Sequence, residues 1–205
     1  VQDIQYGKEM GYIMKLLAIA EQTENGLWLQ VAPAFIDDDE PLAEVDGAFN
    51  AVSVFGDAVG HTSYYGRGAG MMPTASAVVA DIIETARGNS GKLFAAAPAF
   101  GKAAPLAKLC PPKDIHSRFY IRLNVVDQPG VFAKIGQVLG DCNISMSALM
   151  QHERNHQNDV PVVVMTHRAC QANMDEAINR LETLDVVNAR PVCIHVITPP
   201  NGCLL

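Results

Sequence analysis

The residues of this chain whose types and spacing could do chemistry fall into two main clusters. Tyr65 to Val78 reads YGRGAGMMPTASAV, three glycines followed by a Pro-Thr pair that leads into a helical run. Small residues ahead of a helix let the backbone come close to an anion, and a helix N-terminus favours negative charge. The spacing does not make the dinucleotide fingerprint G-x-G-x-x-G. With Gly66 and Gly68 as its first two glycines the third position is Met71, and with Gly68 and Gly70 it is Pro73. No G-K-S/T follows, and no strand–helix–strand unit with an acidic ribose partner surrounds it. The cluster is either an anion-approaching turn of another kind or a tight packing turn.

The second cluster is Asp127-Gln128-Pro129-Gly130-Val131. Pro129 fixes the backbone and supplies no N–H, and Gly130 allows a sharp turn close to a ligand. The free N–H groups of the helical turn that follows suit a carboxylate, and Asp127 beside them suits an ammonium group. Loop and first turn together are built for a zwitterion. The plainer alternative is a strand-to-helix turn in a module that serves only assembly.

Other candidates carry less. The histidines His61, His116, His152, His156, His167 and His195 show no H-x-x-x-H on a helix, because His152 and His156 straddle a strand end and a polar tip. Cys110, Cys142, Cys170, Cys193 and Cys203 are widely spaced without C-x-x-C, which reads as reduced structural thiols. Asp37-Asp38-Asp39-Glu40-Pro41 reads as a solvated turn, Lys8 as a helix-surface lysine and Trp28 as a core or interface anchor. Ser76 lacks the following glycine of a nucleophile elbow.

The elements that must position these residues come in two halves. Ile13 to Glu21 and Leu27 to Ile36 are strand-like runs across the turn Thr23 to Gly26, and Phe49 to Phe55 with His61 to Tyr65 form a hairpin. Thr74 to Arg87 has Val78, Val79, Ile82 and Ile83 at helical spacing. Gly88 to Asp114 is linker chemistry without periodicity, in which Leu93, Phe94, Phe100 and Leu106 patch onto a neighbour. The second half is regular. Strands at Phe119 to Val126, Ile144 to Gln151, Val160 to His167 and Val192 to Ile197 alternate with helices at Val131 to Leu139 and Gln171 to Leu184, with a polar tip at Arg154 to Asp159. Val131, Ile135, Val138 and Leu139 share one face of the first helix, and Gly140 is its expected left-handed terminator. Ala172, Ala177, Ile178, Leu181 and Leu184 form the apolar face of the second. The order is βαββαβ, a ferredoxin-like sandwich.

Apolar residues make up 49% of the chain and charged residues 18%, values of an ordinary folded protein with room for two cores. Net charge is −7, which argues against nucleic-acid or anionic-membrane partners. The apolar runs are too short for a bilayer and no Lys/Arg-led signal opens the chain, so a cytoplasmic protein is expected. The first segment, VQDIQYGKEMGY, places Ile4, Gly7/Lys8 and Gly11/Tyr12 at helical spacing, as if a helix were entered midway. A piece of a longer polypeptide is therefore expected.

The string Asp127 to Val131, followed by Ile135 and then Asn143-Ile144-Ser145-Met146, resembles an ACT domain, a regulatory module that binds amino acids. The likeness runs from about Phe119 to Thr198. The segments Tyr6 to Glu21, Pro41 to Gly60 and Tyr64 to Ile82 resemble the C-terminal part of the catalytic region of homoserine dehydrogenase. The resemblance implies an α+β chain: a partial mixed α/β substrate and dimerisation domain over 1–87, a linker over 88–118, a ferredoxin-like βαββαβ ACT domain over 119–198 and a tail over 199–205. It implies reduction of aspartate β-semialdehyde to homoserine with NADP or NAD in the full-length enzyme, toward threonine and methionine. Gly68, Ala69 and Gly70 would pass near the cofactor, and the helix after them would pack on an N-terminal nucleotide-binding domain not present here. Asp127, Gln128, Pro129, Gly130, Val131, Asn143 and Ile144 would hold an amino-acid effector, expected to be threonine, in a dimer or tetramer. The catalytic lysines of the family lie upstream of the matching part, so this portion alone is expected to be inactive and to bind no cofactor tightly. The rival expectation is a non-catalytic ACT-type module for oligomerisation.

Overall fold

The protein, seen here as a computed structural model, is described over residues 1–96, 106–152 and 160–198. In chain order its first elements are α1 (Gln2–Glu9), β1 (Tyr12–Thr23), β2 (Gly26–Asp37), β3 (Phe49–Gly56), β4 (Gly60–Arg67), α2 (Met71–Ala86) and α3 (Asn89–Ala96). They are followed by β5 (His116–Val125), α4 (Val131–Asp141), β6 (Met146–Gln151), β7 (Val160–Thr166), β8 (Ala169–Cys170), α5 (Gln171–Glu182) and β9 (Val192–Val196). Two compact units result, one built on Val1–Ala43 with the described residues of 108–198, the other on the described residues of 44–107.

The larger unit is organised by β5. Its residues Phe119, Ile121, Leu123 and Val125 point to one face and are buried with Val131, Ile135, Val138 and Leu139 of α4 and Met174, Ala177, Ile178 and Leu181 of α5. The sheet order β9-β5-β7-β6, antiparallel throughout, is that of the ferredoxin-like sandwich. Burial of the first helix follows the sequence reading. In α5 Met174 takes a core place and Ala172 is exposed.

The other face of β5 is also covered. Tyr120 packs with Phe35, Val163, Met165, Val196 and with Tyr6 of α1, so β7 is buried on both faces and reads as a continuous apolar run. α1 reaches this face through Tyr6 and Gly7, whereas Ile4 is exposed. Gly7 is glycine for a packing reason: a Cβ there would strike the ring of Phe35. The β1–β2 hairpin extends the same sheet, since β2 pairs in parallel with β9 at Ala34↔His195 and Phe35↔Val196. Packing thus joins the first 43 residues to the βαββαβ module, across boundaries drawn from composition. Trp28 is buried with Cys110 and Ile115, as a core anchor.

Two local expectations are corrected. Gly140 lies inside α4, and the left-handed residue that ends this helix is Asn143, at φ 56°. Ile144 N–H bonds the Leu139 carbonyl (2.8 Å) and Asn143 N–H that of Gly140 (2.9 Å), a Schellman ending with both apolar partners, Leu139 and Ile144, in the core. The stretch read as linker chemistry without periodicity contains α3, because Lys, Leu and Ala there favour helix. Leu106 is almost wholly exposed, and Phe100, His156, Cys203, the polar tip and the tail lie outside the described residues. In the smaller unit β3 and β4 pair as the expected hairpin, and α2 carries no buried residue. Among the described residues no helix is long and apolar enough to cross a membrane.

Candidate functional site

The Asp127–Val131 corner opens on a cleft of about 460 Å³. β5 ends at Val125, and Val126 N–H bonds the Val186 carbonyl (3.0 Å), which pins the loop's start. Gln128 N–H closes back on the Val126 carbonyl at 3.2 Å. Gly130 then stands at the N-cap of α4 in the left-handed conformation, φ 89°, with open space where a Cβ would be. A side chain there would be strained by the backbone rather than by collision. Val131 is buried and anchors the helix end, while Asp127, Gln128, Pro129 and Gly130 are exposed on the lip.

The electrostatics follow from this geometry. The amides of the first turn of α4, whose residues line the cleft, have no side-chain cap. Their partial positive charge suits a carboxylate, and Asp127 on the same lip suits an ammonium group. The back wall comes from Gln151, Val160 and Val162, and Phe132 and Ala133 complete the rim. Strand register brings these residues here, and nothing local in the sequence marks them. Asn143 and Ile144 do not join the cleft. They sit beyond the opposite end of α4, about 16 Å away along an 11-residue helix.

Gly68, Ala69 and Gly70 link β4 to α2. Gly68 N–H bonds the Ala48 carbonyl at 3.0 Å, and a Cβ on Gly68 would strike the Asn50 side chain. Gly70, at φ 130°, is the uncapped N-cap of α2. The amides of Met71 and Met72 could therefore receive an anion, whereas Pro73 has none to give.

The remaining candidates have structural places. His152 stacks on Tyr6 with centroids 3.8 Å apart, and its Nδ1 lies 3.7 Å from Glu9 Oε2. Asp3 of α1 is gripped by Arg122 Nε (2.6 Å), Arg122 Nη2 (3.3 Å) and Tyr120 Oη (2.9 Å). Burial alone would raise the Asp3 pKa, but these hydrogen bonds and the Arg122 charge hold it below the usual carboxylate value. Cys110, Cys142, Cys170 and Cys193 are free thiols. Among the described residues no group of three His, Cys, Asp or Glu could hold a metal. Lys8 and Ser76 are exposed.

Comparison with known proteins agrees with both halves of this description. Residues 1–83 match the model of the homoserine dehydrogenase family and residues 119–186 that of the ACT domain. The chain is 38% identical to the homoserine dehydrogenase of Pseudomonas aeruginosa over 198 residues, 95% of this chain and 46% of that protein. It is 41% identical to that of Neisseria gonorrhoeae over 189 residues, 91% of this chain and 43% of the other. The solved homoserine dehydrogenase from Thiobacillus denitrificans superposes with a TM-score of 0.85 at 39% identity, covering 96% of this chain and 45% of that one. The chain spans a little under half the length of these relatives. It belongs to the homoserine dehydrogenase family, as the C-terminal region of that enzyme with an ACT domain.

Proposed function

We propose that the chain is the C-terminal portion of an NADP- or NAD-dependent homoserine dehydrogenase, part of its substrate and dimerisation region followed by an ACT domain, and that the ACT domain binds threonine at the Asp127–Val131 corner. The whole enzyme would reduce aspartate β-semialdehyde to homoserine, on the route to threonine and methionine, in the cytoplasm. The observation that carries the effector reading is the uncapped N-terminus of α4, which faces a cleft behind a left-handed Gly130. Threonine's carboxylate would take the first-turn amides and its ammonium Asp127. Asn143 and Ile144 lie too far along α4 to touch the same small ligand. They would contribute from a second copy, which places threonine between two ACT domains of a dimer or tetramer.

Hydride transfer needs a nicotinamide held against the substrate carbonyl. The turn at Gly68, Ala69 and Gly70 offers one anion contact only, so this portion alone is inactive. The exposed stripe Val78, Val79, Ile82 and Ile83 on α2 would dock the nucleotide-binding domain. Threonine need favour the less active arrangement by only about 1–3 kcal/mol to regulate it. The contact of α1 with the ACT sheet supplies a route for that preference. Calorimetric titration of the folded chain with threonine tests the reading: saturable heat supports it, and none at millimolar ligand refutes it.

A 12-residue edge strand, β1, supports a second reading in which the module only assembles chains. Sedimentation separates the two. Assembly that shifts with threonine supports sensing, and assembly indifferent to it supports scaffolding.

A further inference from the structure

A second cleft, of about 480 Å³, lies between α5 and the β5–β9 pair and shares no lining residue with the Asp127 corner. Gln171, Asp175 and Asn179 enter it from α5 at four-residue spacing, and Phe119, Cys193 and His195 enter from the strands. Two polar atoms of these residues are buried without a hydrogen-bond partner, Gln171 Oε1 and His195 Nδ1. Leaving a buried acceptor unsatisfied is costly. The Gln171 amide is oriented by its own bond, since Nε2 donates to Asp175 Oδ1 at 2.7 Å. That bond occupies the amide nitrogen and leaves Oε1 buried without a partner.

The His195 ring is wedged between Phe119 and Trp28, with centroids 5.0 and 6.1 Å away. Burial lowers its pKa and Asp175 opposes this only in part, so the ring is neutral at neutral pH and can offer Nδ1 as an acceptor. Desolvation by its neighbours, and then Asp175, push the Cys193 thiol upward, so it stays protonated and adds no charge. Arg190 is on the wall, but its Nη1 lies 3.8 Å from Glu182 Oε2. An amide oxygen, an imidazole nitrogen and a carboxylate therefore line one pocket.

We propose that this cleft binds a small molecule through a primary ammonium group held by Gln171 Oε1, His195 Nδ1 and Asp175. An ammonium group carries three N–H donors and no acceptor, so it complements three acceptors and one negative charge. A metal ion is the poorer match, because no group of three His, Cys, Asp or Glu among the described residues could hold one. A free amine and an amino acid share this chemistry, and the choice of probe tells them apart.

The test is a titration of the 205-residue chain, followed by ¹H–¹⁵N spectra of the Gln171 side-chain amide and the His195 ring. Three probes are used: ethylammonium, glycine and propionate. Ethylammonium is expected to shift both signals with an affinity on the order of millimolar, the range open to so small a ligand. Tighter binding of glycine would mark an amino acid as the occupant, and equal or weaker binding a simple amine. Asp175→Asn, at an exposed position, is expected to weaken ethylammonium about tenfold or more, with the circular dichroism spectrum unchanged. Gly130→Val is expected to leave the shifts in place. The assignment is overturned by any of four results: no shift up to roughly 50 mM ethylammonium, far above that range; undiminished binding by Asp175→Asn; propionate binding as well as ethylammonium; or loss of the shifts in Gly130→Val.

Discussion

Replacing Asp3 by Asn probes the joint between the first helix and the ACT sheet. Asp3 accepts three hydrogen bonds, two from Arg122 and one from Tyr120, and the side chains of Asp3 and Arg122 are only 20% and 14% exposed. Exposed ion pairs contribute about 0–1 kcal/mol, whereas removing one partner of a buried pair costs about 3–5 kcal/mol. This pair lies nearer the buried limit, and Asn keeps one acceptor oxygen. A loss of about 2–3 kcal/mol follows, or a fall in melting temperature of roughly 5–10 °C for a unit of this size. The assay is thermal unfolding followed by circular dichroism, at neutral pH and in acid. The Asp3 carboxylate has a folded pKa below its unfolded value near 3.9. Its contribution is therefore complete above about pH 4 and disappears as pH falls through the depressed folded value. The gap between wild type and Asp3→Asn should narrow along that path. A gap under about 1 °C at neutral pH, or one that stays constant into acid, would show that Tyr6 packing alone holds α1 and would refute the reasoning.

Other substitutions follow from the same structure. Gly7→Ala puts a methyl group into the Phe35 ring and should cost about 1–3 kcal/mol in unfolding experiments, despite the better helix propensity of alanine. Asn143→Val forces a β-branched residue into the left-handed terminator and should cost about 1–2 kcal/mol, whereas Asn143→Gly should be neutral or stabilising in the same denaturation assay. His195 has a depressed folded pKa, so the unfolded chain takes up its proton first as pH falls below about 6.5, and stability drops there. His195→Gln should flatten that part of the pH–stability profile measured by urea unfolding. Ile82→Asp on exposed α2 should leave the melting temperature of this chain unchanged and weaken its association with a separately produced nucleotide-binding domain, measured by calorimetry.

Much of the fold was legible because local period and core face coincide. FYIRLNVV alternates, VFAKIGQVL repeats at helical spacing, and the order of elements leaves one sandwich as the economical solution. What escaped the sequence depends on distant partners. The odd face of β5 was readable, but the even face is covered by α1 through an ion pair between residues 3 and 122. The parallel pairing of β2 with β9 rests on two residue pairs, each some 160 positions apart in sequence, and has no sequence signature. Helix α1 presents Tyr6 rather than Ile4 because the Phe35 ring occupies the space beside Gly7. Gly140 was the terminator expected from the sequence, but Asn143 takes that place because Ile144 then completes the core. In the site, the Pro-Gly corner was legible from residue chemistry. Its back wall was not, because Gln151, Val160 and Val162 reach it only through strand pairing.

Hydrogen exchange of the folded chain with and without threonine tests the effector site directly. Threonine is predicted to slow exchange of the α4 first-turn amides, Val131 to Ala133, in the wild type and to have no such effect in Gly130→Val. Unchanged exchange at those amides, or slowing confined to the cleft between α5 and β9, would contradict the account.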